Sequence, residues 1–336
     1  AEPTSEQPGC QAGPAGAPGP LEEDGGAGLD GGTGSLGTAL VESFLEDSDV
    51  RRIVVLSRDE VKQQAMRQRF EHRKLNLFLG DVRDEERCVL AFWGCDTVIH
   101  TAALKQVPRG ASDSLEFIKT NILGTIAVVL AAIATGVSRV LVISSDKAVE
   151  ATNLYGKTKA VAEDFAVNSN SYGYPRGTRI SVLRYGNVLG SRGSVLEVWQ
   201  EQHATAHPLT LTSGQMTRFL ITLSQAVELV DICLHEMAGG EIFVPGLPCC
   251  RIEHLLRVLY PEDTIQRTGI RPGGEKLHEV LLSQEEVSRT QIVEPDRLYR
   301  IIPSFYSWRG AWGGPLLPQG TLPLTSAGSL MSEWEI

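Results

Sequence analysis

The chain has 336 residues, 42% of them hydrophobic, and a formal net charge of -10 at pH 7. That is enough apolar material for one large α/β domain or two lobes, and the acidic balance argues against a nucleic-acid groove. Six scattered cysteines, Cys10, Cys88, Cys95, Cys233, Cys249 and Cys250, show no CxxC and no metal-type spacing, which excludes a disulfide framework or a zinc ribbon and fits reduced thiols in a cytoplasmic protein without a metal.

Residues 1–30 are Gly, Pro, Ala and acid, with Glu2, Glu6, Glu22, Glu23, Asp24 and Asp30 and no Lys or Arg. Such a segment buries too little apolar area to fold, and disorder is expected. It lacks the basic and apolar regions of a signal peptide. The longest apolar run, Gly124 to Val137, is too short to span a bilayer, so no membrane association is expected.

GGTGSLG, from Gly31 to Gly37, opens the folded part and runs into an apolar helical stretch, Thr38 to Leu45. Glycines at 31, 34 and 37 suit a phosphate-cradling turn at a helix N-terminus, where backbone N–H groups face a pyrophosphate. Gly31, Thr33, Gly34, Ser35, Leu36 and Gly37 are therefore candidate cofactor residues. A dinucleotide fold also needs an apolar strand just before the glycines. EEDGGAGLD stands there, so the first strand is expected to be degenerate, with Asp30 facing an anionic ligand.

The following units are regular. RIVVLS (52–57) reads as a buried strand, 58–70 as a helix, LNLFLGD (75–81) as a strand, and 82–92 as a turn and helix. TVIHTAA (97–103) reads as a strand, followed by a long helix over 114–135 and a strand over 140–145. This alternation predicts a Rossmann-like, doubly wound parallel sheet. At the end of its second strand an acid would bind the ribose diol of NAD, and a base the 2′-phosphate of NADP. Ser57, Arg58 and Lys62 favour NADP, although Arg58 could instead stack on adenine. Asp81 and Val82 are placed at the adenine edge, and Ala102 and Ala103 beside the cofactor.

LVISSDKAVEATNLYGKTK (141–159) carries the chemistry. A strand ends in Ser144-Ser145-Asp146-Lys147, and if Asn153 caps a helix, Tyr155 and Lys159 lie one turn apart on one face. A phenol paired with a cation can deprotonate a carbinol while a nicotinamide takes the hydride, because the cation lowers the phenol's pKa. An ordinary exposed helix pair is the competing reading. Beyond lie a strand at 180–187, an amphipathic helix at 224–236, a short returning strand at 241–245, and an irregular tail from Trp308. The expected domains are a tail (1–30), a cofactor domain (31–195, with 240–246), and a smaller C-terminal substrate lobe (196–239 and 247–336).

HTAALKQVP, SDKAVEATNLYGKTK, RYGNVLGSRGSV, QMTRF, GEIFVPG and GIRPGGEKLHE together closely resemble the UDP-N-acetylglucosamine 4,6-dehydratases, extended short-chain dehydrogenases/reductases of polysaccharide biosynthesis. Tyr155 stands where the longer, membrane-bound, configuration-retaining relatives usually have Met, and so resembles the short inverting type. The resemblance implies that Tyr155, helped by Lys159, deprotonates the 4-hydroxyl of UDP-GlcNAc while NADP+ takes the hydride. Lys147 then removes the carbon-5 proton, and Asp146 protonates the departing 6-hydroxyl. The hydride returns to carbon 6, and reprotonation of carbon 5 from the other face inverts it, giving UDP-2-acetamido-2,6-dideoxy-β-L-arabino-hex-4-ulose. Burial is expected to raise the acid and lower the amine. The resemblance also implies that Lys105, Ser145, Asn187, Ser194, Val195, Arg218, Arg271 and Glu275 hold the substrate, and that the chain forms a homo-oligomer. His100 and His278 read as structural.

The chain departs from the family pattern at Asp30 (usually Thr), Ala151 (Pro) and Gly246 (Lys). One extra glycine in RPGGEKLHE would displace Glu275. With the degenerate first strand, these departures keep open a catalytically impaired UDP-sugar or NADP-binding relative; the other alternative is a UDP-sugar 4-epimerase or ketoreductase, which needs Tyr155 and Lys159 but not Lys147 as base.

Overall fold

The structure is a computed structural model and describes residues 25–271, 273–304, 312–328, 330 and 331. The disorder expected over 1–24, and parts of the irregular tail expected from Trp308, lie outside the described residues. In chain order, the first half runs β1 (Gly26–Asp30), α1 (Ser35–Glu46), β2 (Arg52–Ser57), α2 (Glu60–Arg69), β3 (Leu75–Leu79), α3 (Glu85–Phe92) and β4 (Thr97–His100). Two short helices, α4 (Arg109–Ser112) and α5 (Ser114–Ile118), lead through a π turn at Lys119–Leu123 into α6 (Gly124–Thr135). Then come β5 (Arg139–Ile143), α7 (Leu154–Asn168), α8 (Asn170–Gly173) and β6 (Arg179–Leu183).

The remainder runs β7 (Asn187–Val188), α9 (Val195–Ala204), β8 (Leu209–Leu211), β9 (Thr217–Ile221), α10 (Leu223–Glu236), β10 (Ile242–Pro245) and β11 (Cys249–Arg251). It closes with α11 (Ile252–Leu259), β12 (Ile265–Arg267), β13 (Val280–Leu282), α12 (Gln284–Val287), β14 (Thr290–Glu294), β15 (Leu298–Ile301) and β16 (Leu324–Thr325).

Nine strands form one sheet in the order β14-β15-β10-β6-β5-β4-β1-β2-β3. From β3 to β10 neighbours are parallel, and β15 and β14 add an antiparallel edge. The order reverses at β1 and β4, the switch point where doubly wound sheets open a crevice at the carboxyl ends of their strands. Val128 and Ala132 of α6 and Cys88 and Phe92 of α3 pack on one face of the sheet. Leu40 and Phe44 of α1 and Leu229 and Cys233 of α10 pack on the other.

Two expectations about the sheet are corrected. The slot of the first strand is not left empty: GAGLD fills it as β1, buried along its whole length and paired in register with β2 and β4. Two ladders and complementary packing override the low strand propensity of its glycines. A Cβ on Gly28 would meet Phe92 at 3.1 Å and Val98 at 3.2 Å, so neighbouring side chains occupy the space its own would take. The expectation of disorder over 1–30 is thus corrected for residues 26–30, which form this strand.

Asp30 does not face a ligand. It is fully buried, and both its carboxylate oxygens lie within 2.8 Å of His100 Nδ1. Oδ1 also accepts the Ala102 N–H at 3.0 Å. Thr125 Oγ1 donates to Asn121 O, so it accepts from His100 Nε2, and one proton is left between Nδ1 and Asp30. His100 is thus a structural residue.

The domain division is also finer than expected. α10, placed in the substrate lobe from its position in the chain, belongs to the sheet's own core because its apolar stripe packs on α1 and β5. β14 and β15 likewise join the main sheet. What remains as a lobe is a small core of Trp199, Leu209, Leu211, Leu220, Leu255 and Leu256. The helical stretch Ser114–Thr135 extends well before the apolar run and is, among the described residues, long and apolar enough to cross a membrane. Of its apolar window 61% is buried within the protein, the environment of a core helix.

Candidate active site

β5 delivers the chain to the crevice and ends at Ile143. A 3₁₀ turn, Asp146–Ala148, follows, with Ser145 Oγ accepting from Lys147 N. Asn153 caps α7, its Oδ1 accepting from Gly156 N at 2.9 Å. Tyr155 and Lys159 therefore share one face, both buried, and Lys159 Nζ donates to Ile143 O at 2.6 Å. Gly156 makes this arrangement possible. A Cβ there would sit 2.1 Å from the backbone oxygen of Lys147, so only glycine lets the first turn of α7 lie against the turn carrying Lys147.

Lys147 Nζ lies 3.0 Å from Asp146 Oδ1, 3.4 Å from Asn187 Oδ1 and 3.6 Å from Glu279 Oε1. Burial pulls its ammonium down, but the Asp146 and Glu279 carboxylates outweigh burial and its pKa stands above the ordinary value. This corrects the expectation that burial lowers the amine. Lys159 does behave that way: burial brings it down to about 8. Burial raises the Tyr155 phenol, and the cation that pulls it back is Lys147 rather than Lys159, whose amine is turned to the backbone of β5.

One continuous cleft of about 1010 Å³ gathers most of the predicted residues. Gly31, Thr33, Gly34, Ser35, Leu36, Gly37, Ser57, Arg58, Lys62, Asp81, Val82, Ala102 and Ala103 line its cofactor half. Lys105, Ser145, Lys147, Tyr155, Lys159, Asn187, Ser194, Val195, Arg218, Arg271 and Glu275 line the rest. Asp146 is the exception. It is fully buried behind Lys147 and does not line the cleft, and its Oδ2 has no hydrogen-bond partner. Its Oδ1 accepts from Ser145 Oγ at 2.8 Å as well as from Lys147.

The residues of the cofactor half fit a dinucleotide. Gly31 has φ +63°, and a Cβ there would lie 2.7 Å from Ala102 N; a Cβ on Gly37 would lie 2.4 Å from Gly32. The backbone is thereby tucked under the N-terminus of α1, whose first N–H groups have no intrahelical partner. Ser57 and Thr33 share a hydrogen bond at 2.9 Å. Arg58 lies 3.7 Å from Asp81, and Lys62 2.7 Å from Asp59. A third cation, Arg192, was not anticipated: it reaches from the loop after β7 to donate to Thr33 O at 3.0 Å. Its motif, GSRGSV, was visible in the chain, but its reach to the glycine loop was not.

In the substrate half, Asn121 in the π turn accepts from Leu104 N and donates to Leu104 O, fixing the loop that carries Lys105. Burial lowers the Lys105 amine. Ser194 precedes α9, and its buried Oγ has no partner, which suits an anion at that helix start. The extra glycine does not displace Glu275 from the cleft. Gly273 and Gly274 take φ of +109° and +87°, and Gly274 O accepts from Thr152 Oγ1 at 2.5 Å. Glu275 is then held by Arg271 at 2.5 Å and Arg218 at 3.5 Å. His278 bonds Thr217 Oγ1 at 2.8 Å, as a structural residue would. Among the described residues no group of His, Cys, Asp and Glu could hold a metal ion.

Residues 29–301 match the family described as polysaccharide biosynthesis protein. A UDP-N-acetylglucosamine 4,6-dehydratase (inverting) from Campylobacter jejuni subsp. jejuni serotype O:23/36 is 40% identical over 277 residues, 82% of each chain. A UDP-glucose 4-epimerase from Rickettsia typhi is 40% identical over 268 residues, 78% of each. The crystal structure of Pen from Bacillus thuringiensis superposes with a TM-score of 0.84 at 30% identity, covering 93% of this chain and 95% of that one.

Proposed function

The chain belongs to the polysaccharide biosynthesis protein family, and from that premise we propose that it is an NADP-dependent, inverting UDP-GlcNAc 4,6-dehydratase. The observation that carries this reading is the amine of Lys147 on the wall of the cleft that holds Tyr155 and Lys159, with Asp146 3.0 Å behind it. Oxidation and reduction at carbon 4 need only Tyr155 and Lys159. A proton-transfer couple beside them is what an elimination across carbons 5 and 6 adds.

Gly31 to Gly37, Ser57, Arg58, Lys62 and Arg192 would hold the cofactor, whose nicotinamide when bound supplies a hydride acceptor and returns the hydride. Arg58, Lys62 and Arg192 favour a 2′-phosphate; equal dissociation constants for NAD and NADP would refute that choice. Tyr155 takes the proton of the sugar's 4-hydroxyl. The Lys147 ammonium gives its proton to Asp146, and the free amine takes the carbon-5 proton that a carbon-4 ketone has acidified. The couple then protonates the leaving 6-hydroxyl, either from Asp146 through Nζ or from Nζ directly, and a solvent-derived proton added to carbon 5 from the other face completes the inversion. Lys105 and the start of α9 at Ser194-Val195 face the diphosphate, with Arg218 and Arg271 released from Glu275 to join them.

The test is incubation with UDP-GlcNAc in deuterated water, followed by NMR. The expected product has a 6-methyl group and deuterium at carbon 5. Lys147→Ala is expected to bind the substrate and to lose about 10²–10⁴ in exchange rate. A product that is epimerised at carbon 4 without carbon-5 exchange would establish the second reading, which the 40% identity to a named 4-epimerase favours. An impaired relative loses its main ground now that β1 fills its slot. We further propose a cytoplasmic homo-oligomer; sedimentation of a monomer would refute the assembly.

A further inference from the structure

Glu279, just before β13, has so far served only as a neighbour of Lys147. Its carboxylate is buried, and cations from three elements converge on it. Lys147 Nζ lies 3.6 Å and Arg218 Nε 3.9 Å from Oε1, and Lys276 Nζ lies 3.2 Å from Oε2. Its mount is rigid. Ser326 Oγ accepts the Glu279 N–H at 2.8 Å, Ser326 N donates to Glu279 O at 2.8 Å, and Ser326 Oγ is tied to Thr217 Oγ1 at 2.7 Å. A buried carboxylate is costly unless it is paired, and this one is the second carboxylate beside the amine, after Asp146.

We infer that Glu279 is a positioning residue for Lys147: it seats the amine between two carboxylates at the cleft wall and keeps it charged until Asp146 takes the proton. The inference rests on the proposed role of Lys147 as base. In the transfer an N–H bond of Lys147 breaks and an O–H bond of Asp146 forms, while Glu279 stays ionised and opposes the loss of charge. The groups facing Lys147 are Asp146 on its own turn, Glu279 before β13, Arg218 on β9, Tyr155 on α7 and Lys105 after β4. Lys276 acts through Glu279, and the nearby Asn187 is uncharged. Two carboxylates outweigh burial and the cations, which agrees with the upward direction of the Lys147 pKa.

The test titrates Lys147 directly, by the 13Cε resonance of lysine-labelled protein, identified by its loss in Lys147→Met. Glu279→Gln is expected to lower the Lys147 midpoint by about one unit, the effect of removing a charge a few ångströms away. Lys276→Met, which removes the competing cation, is expected to raise it. A merely structural role would move neither midpoint, or both in one direction, and either result overturns the inference. Should Glu279→Gln fail to fold, the sign for Lys276→Met decides alone: upward supports, unchanged or downward overturns. Carbon-5 exchange by the unmodified enzyme is read separately, so failure of the proposed reaction and failure of this inference are distinguishable.

Discussion

Lys147 and Lys159 stand twelve positions apart in one cleft, and their amines are tuned in opposite directions. Lys147 lies between carboxylates and is raised. Lys159 donates to a backbone carbonyl, and burial lowers it from 10.5 to about 8. A cation whose folded pKa is depressed binds its proton less readily in the native state. The resulting penalty is full below about pH 8 and is relieved as pH rises toward 10.5. Unfolding by urea at a series of pH values should therefore show wild type gaining stability relative to Lys159→Met across that window. A constant difference would mean that the amine is not depressed. The two residue types were evident as candidates from spacing alone, but the direction of each shift was not, because it depends on which groups the fold brings to each nitrogen.

At the level of elements, the contact between α7 and the turn after β5 couples the redox pair to the proton-transfer pair. It depends on one missing side chain. Gly156→Ala would put a carbon 2.1 Å from a carbonyl oxygen that belongs to the backbone and cannot rotate aside. The helix or the turn must move by about 1 Å, and a displacement of that size costs about 100-fold in rate. We expect kcat to fall by that factor while binding of the UDP-sugar, measured by calorimetry, changes far less. Unchanged turnover would show that the contact is slack. The Tyr-Gly step was quoted within a motif, yet the reason for its glycine lies nine residues earlier in the chain, on another element.

At the scale of the whole molecule, the sheet is organised around β1, its least strand-like segment. Asp30 on β1 and His100 on β4 join the two halves of the doubly wound sheet beneath the glycine loop, away from solvent. Removing one member leaves the other buried without its partner, which costs about 3–5 kcal/mol. Asp30→Ala should lose stability of that order in urea unfolding, and His100→Ala a similar amount. If the double variant loses no more than either single one, the pair acts as a unit; full additivity would show that the two residues are independent.

The chain alone was enough to place the alternating strands and helices, the glycine turn, the Tyr155–Lys159 face and the Asp146-Lys147 step, because each is a local pattern with a fixed period or spacing. Four things needed the folded molecule: the strand made from GAGLD, the retreat of Asp146 behind Lys147, the reach of Arg192 to Thr33, and Glu279 beneath the amine. Each joins residues from separate elements, and its energy comes from ladders, packing and Coulomb interactions across those elements. Neighbouring positions in the chain carry no record of such terms. That is why β1 looked unfit for its place and yet, held between β2 and β4 with Phe92 against Gly28, occupies it.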